Sequence, residues 1–222
     1  ATMPFTAKAQ DKVEASVGAD FVSNYIWRGT DCGGVSIQPS MGVSYKGLSL
    51  AAWGSVGIDK EDAREIDLTL GYNTGGFNVS VTDYWFSYHK EDGGYTGDYF
   101  KYGAHSTIHI FEATLGYDFG PLALSWNTYF AGDDYTKENG DRAYSTYVGI
   151  SAPFKLGGLD WSAEVGLTPW EGAYANKFNV TNLTLKAEKE IKFTNSFSLP
   201  TFAQVTFNPH TQGAYFVFGV SF

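Results

Sequence analysis

The chain has a single cysteine, Cys32, among 222 residues. One thiol excludes an intrachain disulfide framework and any cysteine-based zinc site. Cys32 lies in Arg28-Gly29-Thr30-Asp31-Cys32-Gly33-Gly34, which has the composition of a turn and offers no neighbouring base to activate a thiolate. Charge is scarce as well, at 18% of residues, and bases are the minority, 15 against 24 acids. A net charge of -9 leaves no basic face for phosphates, so no nucleic-acid partner is expected. Long apolar runs are also missing. Stretches such as Phe216-Val217-Phe218 last a few residues, far short of the ~20 that a membrane-spanning helix needs.

What the chain holds in quantity is aromatic residues and glycine: 15 Tyr, 17 Phe, 6 Trp and 26 Gly. Disorder requires few aromatics and many charges, the reverse of this balance. The rings are distributed with a period of two. Phe216, Phe218, Val220 and Phe222 alternate with Tyr215, Val217, Gly219 and Ser221. Val13, Ala15, Val17, Ala19 and Phe21 alternate with Glu14, Ser16, Gly18 and Asp20, and the same pattern recurs around Val35–Val43, Ile66–Leu70 and Leu159–Leu167. A strand sends alternate side chains to opposite faces, so one face of each segment is apolar throughout.

Twelve such segments, near 13–27, 35–45, 48–58, 64–72, 77–88, 107–118, 122–131, 142–152, 159–168, 177–188, 197–207 and 213–222, have the ~10-residue length of a tilted strand crossing a bilayer. Asp83 falls on the apolar face of its segment, and the parity slips near Ile110-Phe111 and near Asn182 are expected to be β-bulges. Connections alternate in length. Tyr45-Lys46-Gly47, Asn73–Gly76, Phe119-Gly120-Pro121 and Lys155–Gly158 are short, and 28–34, 59–63, 89–106, 132–141, 169–176 and 208–212 are longer. The polar stretch Lys189–Ser196 is longer than a short turn should be. Rings gather at both segment ends: Tyr25, Trp27, Trp85, Phe130, Tyr144, Phe178 and Phe207 at one, Tyr45, Tyr72, Phe77, Tyr117, Trp161, Phe197 and Phe222 at the other. Two aromatic bands are what a spanning barrel requires.

The sequence therefore predicts an all-β fold: a transmembrane, antiparallel, up-and-down β-barrel of about 12 strands. It further predicts a location in the bacterial outer membrane, with periplasmic N- and C-termini, short periplasmic turns and longer outer loops. The barrel is assigned to 13–222. Residues 1–12 are expected to be a signal-peptide remnant or a disordered leader, and Ala7-Lys8-Ala9 has the small-x-small pattern of a signal-peptidase site. A terminal strand ending in Phe222 resembles the signal recognised by the barrel assembly machinery. Expected partners are that machinery, outer-membrane lipid with lipopolysaccharide, and a small-molecule solute.

The interior should be acidic, with Asp20, Asn24, Arg28, Asp67, Glu112, Asn127, Glu164 and Lys186 on the lumen wall. Twelve strands fall between a barrel filled by side chains and an open channel. A narrow porin-like channel for small solutes, with cation or neutral preference, is the first functional reading. Loop 89–106 could fold into the mouth as a constriction through Tyr95, Tyr99 and Tyr102, and with inward Trp53, Tyr84, Phe86, Tyr129 and Tyr147 offer rings to sugars. The alternative is a non-conducting barrel acting through its outer loops, with Arg28 paired across the lumen to an acid such as Glu112 or Asp20. A third reading, an outer-membrane lipid hydrolase, would draw on His89, Ser87, His105, Ser106 and His109. No orienting third group is fixed by spacing, so no catalytic residue is assigned and the chain is not expected to be an enzyme. Asp133–Asp141 lacks calcium-loop spacing, and no metal or cofactor is expected.

Ala19-Asp20-Phe21-Val22-Ser23-Asn24-Tyr25-Ile26-Trp27-Arg28-Gly29 resembles the opening strand of the Gcw_chp family of Gram-negative proteins, and the Gly47–Gly54 run, Gly-Leu-x-Leu-x-x-Trp-Gly, fits its third strand. The resemblance is strongest over residues 19–54. It implies an outer-membrane barrel from a largely uncharacterised family with a porin-like role suggested for some members. It singles out Arg28 and carries over no catalytic residue.

Overall fold

The computed structural model describes residues 12–91, 94–194 and 197–222. Among these there is no helix. β1 (Glu14–Val22) is followed by a small hairpin, β2 (Tyr25–Trp27) and β3 (Thr30–Gly33). The longer strands are β4 (Ser36–Tyr45), β5 (Leu48–Gly57), β6 (Arg64–Thr74), β7 (Phe77–Ser87), β8 (Ile110–Asp118), β9 (Ala123–Gly132), β10 (Thr146–Leu156), β11 (Leu159–Thr168), β12 (Asn179–Lys192), β13 (Ser198–Asn208) and β14 (Gly213–Ser221). β1 and β4 to β14 form one closed antiparallel barrel of twelve strands, with β14 returning to β1. β2 and β3 make a separate two-stranded sheet.

Alternation decides which side chains face out. Val17, Met41, Leu50, Leu70, Leu115, Phe216 and Phe218 are all exposed, while Val217, between the last two, is buried. Most buried strand residues, Val217 among them, therefore line the lumen, and the outside of the barrel is an apolar belt. Burying such a belt against hydrocarbon is favourable by roughly 25 cal/mol per Å². Three connections at one end are two-residue turns with positive φ at both positions: Lys46-Gly47, Gly75-Gly76 and Gly157-Gly158. That conformation matches the right-handed twist of the strands it joins. β1 starts and β14 finishes toward this short-turn end.

The two parity slips are bulges. Phe111 and Glu112 face Ala131 and Tyr129, so Phe130 has no partner, and Gly166 and Leu167 face Asn182 and Val180, so Thr181 has none. Each extra residue restores the apolar side chains to the outer face.

Several expected boundaries move, and the segment expected over 142–152 is Thr146–Leu156. The first segment, anticipated as one strand over 13–27, ends at Val22, and residues 25–33 fold into the barrel as the β2–β3 hairpin. Strand periodicity is the same whether a segment climbs the wall or turns inward, which is why the pattern did not separate them. The polar stretch beginning at Lys189 continues β12 as far as Lys192, paired to β13, and shortens the connection. Residues 1–11 lie outside the described residues, and with them nearly all of the expected leader.

The seam is the weakest ladder. β1 and β14 share only Asp20–Ser221, Phe21–Val220 and Val22–Gly219, extended by mutual backbone bonds between Ala19 and Phe222, whereas β1 pairs with β4 along its whole length. Below Ala19, the odd-numbered amides of β1 face the seam without a partner among the described residues. Ala15 and Val17 amides are therefore expected to exchange with deuterium at least about tenfold faster than Ser16 and Gly18. Equal protection along β1, measured by NMR, would contradict this seam.

Candidate functional site

The β2–β3 hairpin begins where wall pairing stops. Ser23 gives its amide to the Phe218 carbonyl and its hydroxyl accepts the Phe218 amide. Asn24 and the Gly33 amide both donate to Asp31 Oδ1, bracing the two arms. At the tip, Arg28 and Gly29 take φ of 50° and 79°. A Cβ on Gly29 would stand 1.9 Å from the Thr181 carbonyl oxygen, so only glycine fits this approach. Asn208 fastens the tip by donating to the Gly29 carbonyl at 3.0 Å.

The hairpin delivers Arg28 to the centre of the lumen. Its guanidinium makes two parallel bonds to Glu112, at 2.6 and 2.9 Å, and a third to the Tyr174 hydroxyl at 2.6 Å. The Tyr84 hydroxyl also donates to Glu112, and Tyr174 donates to Tyr129. The Trp27 and Tyr147 rings lie 4.3 and 4.7 Å from the guanidinium carbon. Burial alone would lower the pKa of Arg28, but the Glu112 carboxylate raises it well above its ordinary value, so the cation persists. A bidentate charged pair flanked by rings is among the stronger polar contacts a protein makes.

Packing around this pair is continuous. Each of the twelve wall strands places an inward side chain no more than 9% exposed in the half away from the short turns: Val22, Gln38, Ser55, Glu65, Tyr84, Glu112, Tyr129, Tyr147, Thr168, Asn182, Thr206 and Val217. The half of the lumen away from the short turns is thus filled by side chains and the hairpin. The other half is more open. There Lys155 pairs with Asp160 and Lys186 with Glu188, at 2.7 and 2.6 Å, and Lys186 lies 4.4 Å over Phe202. Water screens such exposed pairs, so they add little to stability.

The residues expected on the lumen wall are distributed through this arrangement. Arg28 and Glu112 meet. Asn127 accepts from Thr114 and donates to Ser125 and the Tyr147 carbonyl. Glu164 accepts from Tyr147 and Asn182. Asp67 faces inward beside Trp53 and Tyr84 in the ladders, and its Oδ1 is buried without a hydrogen-bond partner. Asn24 belongs to the hairpin and Lys186 to the open half. Asp20 stands at the seam, paired with Gln38 and Ser221 rather than with Arg28.

Tyr95, Tyr99 and Tyr102 do not gather in the mouth. Tyr95 lies over Arg64, Tyr99 meets Trp85 edge-on, and Tyr102 hydrogen-bonds Asp83, all three partners being on the outward face of β6 or β7. Tyr25 and Trp27, assigned to the outer aromatic band, instead pack inside against Trp53 and Tyr84. Tyr174 escaped sequence reading because loop 169–176 has no strand pattern. Its small neighbours, Gly172, Ala173 and Ala175, are the signal that this loop approaches the barrel closely. The groups considered for hydrolysis are separated: Ser87 and Ser106 donate to the carbonyls of Thr96 and Gly103, and both His109 nitrogens are engaged by Asp83 and the Tyr99 carbonyl. Burial pushes the Cys32 thiol up to about 12, which leaves little thiolate near neutral pH.

Removing one partner of the central pair strands the other in a closed space, so Arg28→Ala is expected to cost about 3–5 kcal/mol. The double variant Arg28→Met/Glu112→Leu should recover much of it. The folded-to-unfolded band shift on heating reads both, and equal losses in single and double variants would contradict the coupling.

No family model matches the chain, and no curated protein matches it.

Proposed function

We propose that the chain is a bacterial outer-membrane barrel closed at rest by its own first connection, with residues 24–33 as the plug and Arg28 as its anchor. The observation that carries this reading is the bidentate Arg28–Glu112 contact at the centre of a packed outer half. The end with short turns and both termini is assigned to the periplasm, by analogy with barrels whose outer loops are the longer ones. Membership of the Gcw_chp family is proposed on residues 19–54. Lipid and lipopolysaccharide are the proposed surroundings of the apolar belt, and the strand ending in Phe222 is the element offered to the assembly machinery.

A narrow solute path is the second reading, favoured by the charges that would remain if the plug withdrew. Glu65, Asp67, Glu112 and Glu164 would line the wall after Arg28 had left with the hairpin. A low-dielectric passage lined by one sign of charge favours cations and neutral solutes over anions.

Liposome swelling tests the closed reading. The intact protein should pass small sugars and salts slowly, and a variant lacking residues 24–33 should pass them readily, cations ahead of anions. Heat-dependent migration checks that both are folded. Swelling by the intact protein as fast as by the deletion variant would overturn the plug.

A further inference from the structure

Residues 98–109 of the connection from β7 to β8 do not enter the mouth; they lie on the outside of the wall, against Asp83 and Trp85. Outward positions of β7 alternate as Phe77, Val79, Val81, Asp83, Trp85 and Ser87. Asp83 is the one charge in that row, and its ladder neighbours are Leu68 and Phe111. At ~3.4 Å per residue and a tilt near ~40°, Asp83 sits about 16 Å above Phe77, in an apolar belt about 25 Å tall. A bare carboxylate at that depth facing lipid is costly.

The connection covers it. His109 Nδ1 lies 2.7 Å from Asp83 Oδ1, and Tyr102 donates to Oδ2 at 3.2 Å. His109 Nε2 is 2.7 Å from the Tyr99 carbonyl, which can only accept, so that nitrogen carries hydrogen. One more proton occupies the Nδ1–carboxylate contact, and the Asp83–His109 pair is neutral overall wherever that proton sits. The His109 side chain is fully enclosed. Tyr102 and Tyr99 close over it, with ring centroids 4.2 and 5.3 Å away.

Irregular backbone is tolerated at membrane depth only when its polar groups are bonded within the protein. The segment has such bonds: Lys101 to the Asp98 carbonyl, Ser106 and Thr107 to the Gly103 carbonyl, and the His109 amide to Thr107 Oγ1. Its most exposed ring is Phe100, 88% accessible, packed edge-on to Tyr99. An apolar ring so exposed, continuous with the lipid-facing belt, has hydrocarbon as its fitting neighbour.

We propose that residues 98–109 form a strap lying flat on the barrel wall within the outer leaflet, where acyl chains meet headgroups, and that lipid is its partner through Phe100 and Tyr102. This rests on the reading of the chain as membrane-spanning and not on the closed lumen. The strap neutralises Asp83 and enlarges the lipid-contacting surface on the β6–β8 side.

Spin-label accessibility in phosphatidylcholine vesicles tests it. In a Cys32→Ser background, a nitroxide at Phe100→Cys is compared with labels at Leu115→Cys, on the wall, and Asn139→Cys, in an outer loop. Collision with oxygen should exceed collision with a water-soluble nickel complex at position 100, as at 115 and unlike 139. Nickel access at 100 equal to that at 139, with 115 still oxygen-dominated, would overturn the strap. Nickel access at 115 as well would instead overturn the membrane-spanning reading itself.

Discussion

A guanidinium walled off from water needs a carboxylate, and that carboxylate needs further donors, since neither charge tolerates burial alone. The half of this barrel away from the short turns is arranged around that requirement. Arg28 reaches Glu112 only because Gly29 lets the hairpin tip press against Thr181, the unpaired bulge residue of β12. Glu112 holds its geometry through Tyr84, and Arg28 through Tyr174, whose loop enters from the opposite side of the sequence. Hairpin, bulge and loop are therefore coupled through one ion pair.

The two faces of the wall solve opposite problems with similar parts. Inside, a cation carried on a connection meets an acid on β8. Outside, Asp83 on β7 meets His109, again from a connection, and is covered by rings. In both places a side chain carried on a connection partners an acid carried on a strand. Aromatic side chains seal the contact each time, because they exclude water while offering a hydroxyl or a ring face to the charge.

Much of this was legible in the sequence. Period-two alternation located twelve wall strands, and the slips at Ile110-Phe111 and Asn182 marked bulges, because lipid and lumen impose opposite chemistry on alternate residues. Arg28 opposite Glu112 was among the pairings the interior composition suggested. The inward course of residues 25–33 was not legible, since Tyr25 and Trp27 suit an aromatic band and a packed lumen equally well. The outward course of the β7–β8 connection was hidden similarly: Tyr95, Tyr99 and Tyr102 have rings fit for either side of the wall. Only Asp83, an acid on the apolar face, signalled that something must cover that position.

The central claim is that the first connection closes the barrel, and single-channel recording of the intact refolded protein in a planar bilayer addresses it most directly. The account predicts long silent periods, with any openings rare and brief until Arg28 loses its partner. Steady, voltage-independent openings of the intact protein would contradict it and return the chain to the class of open channels.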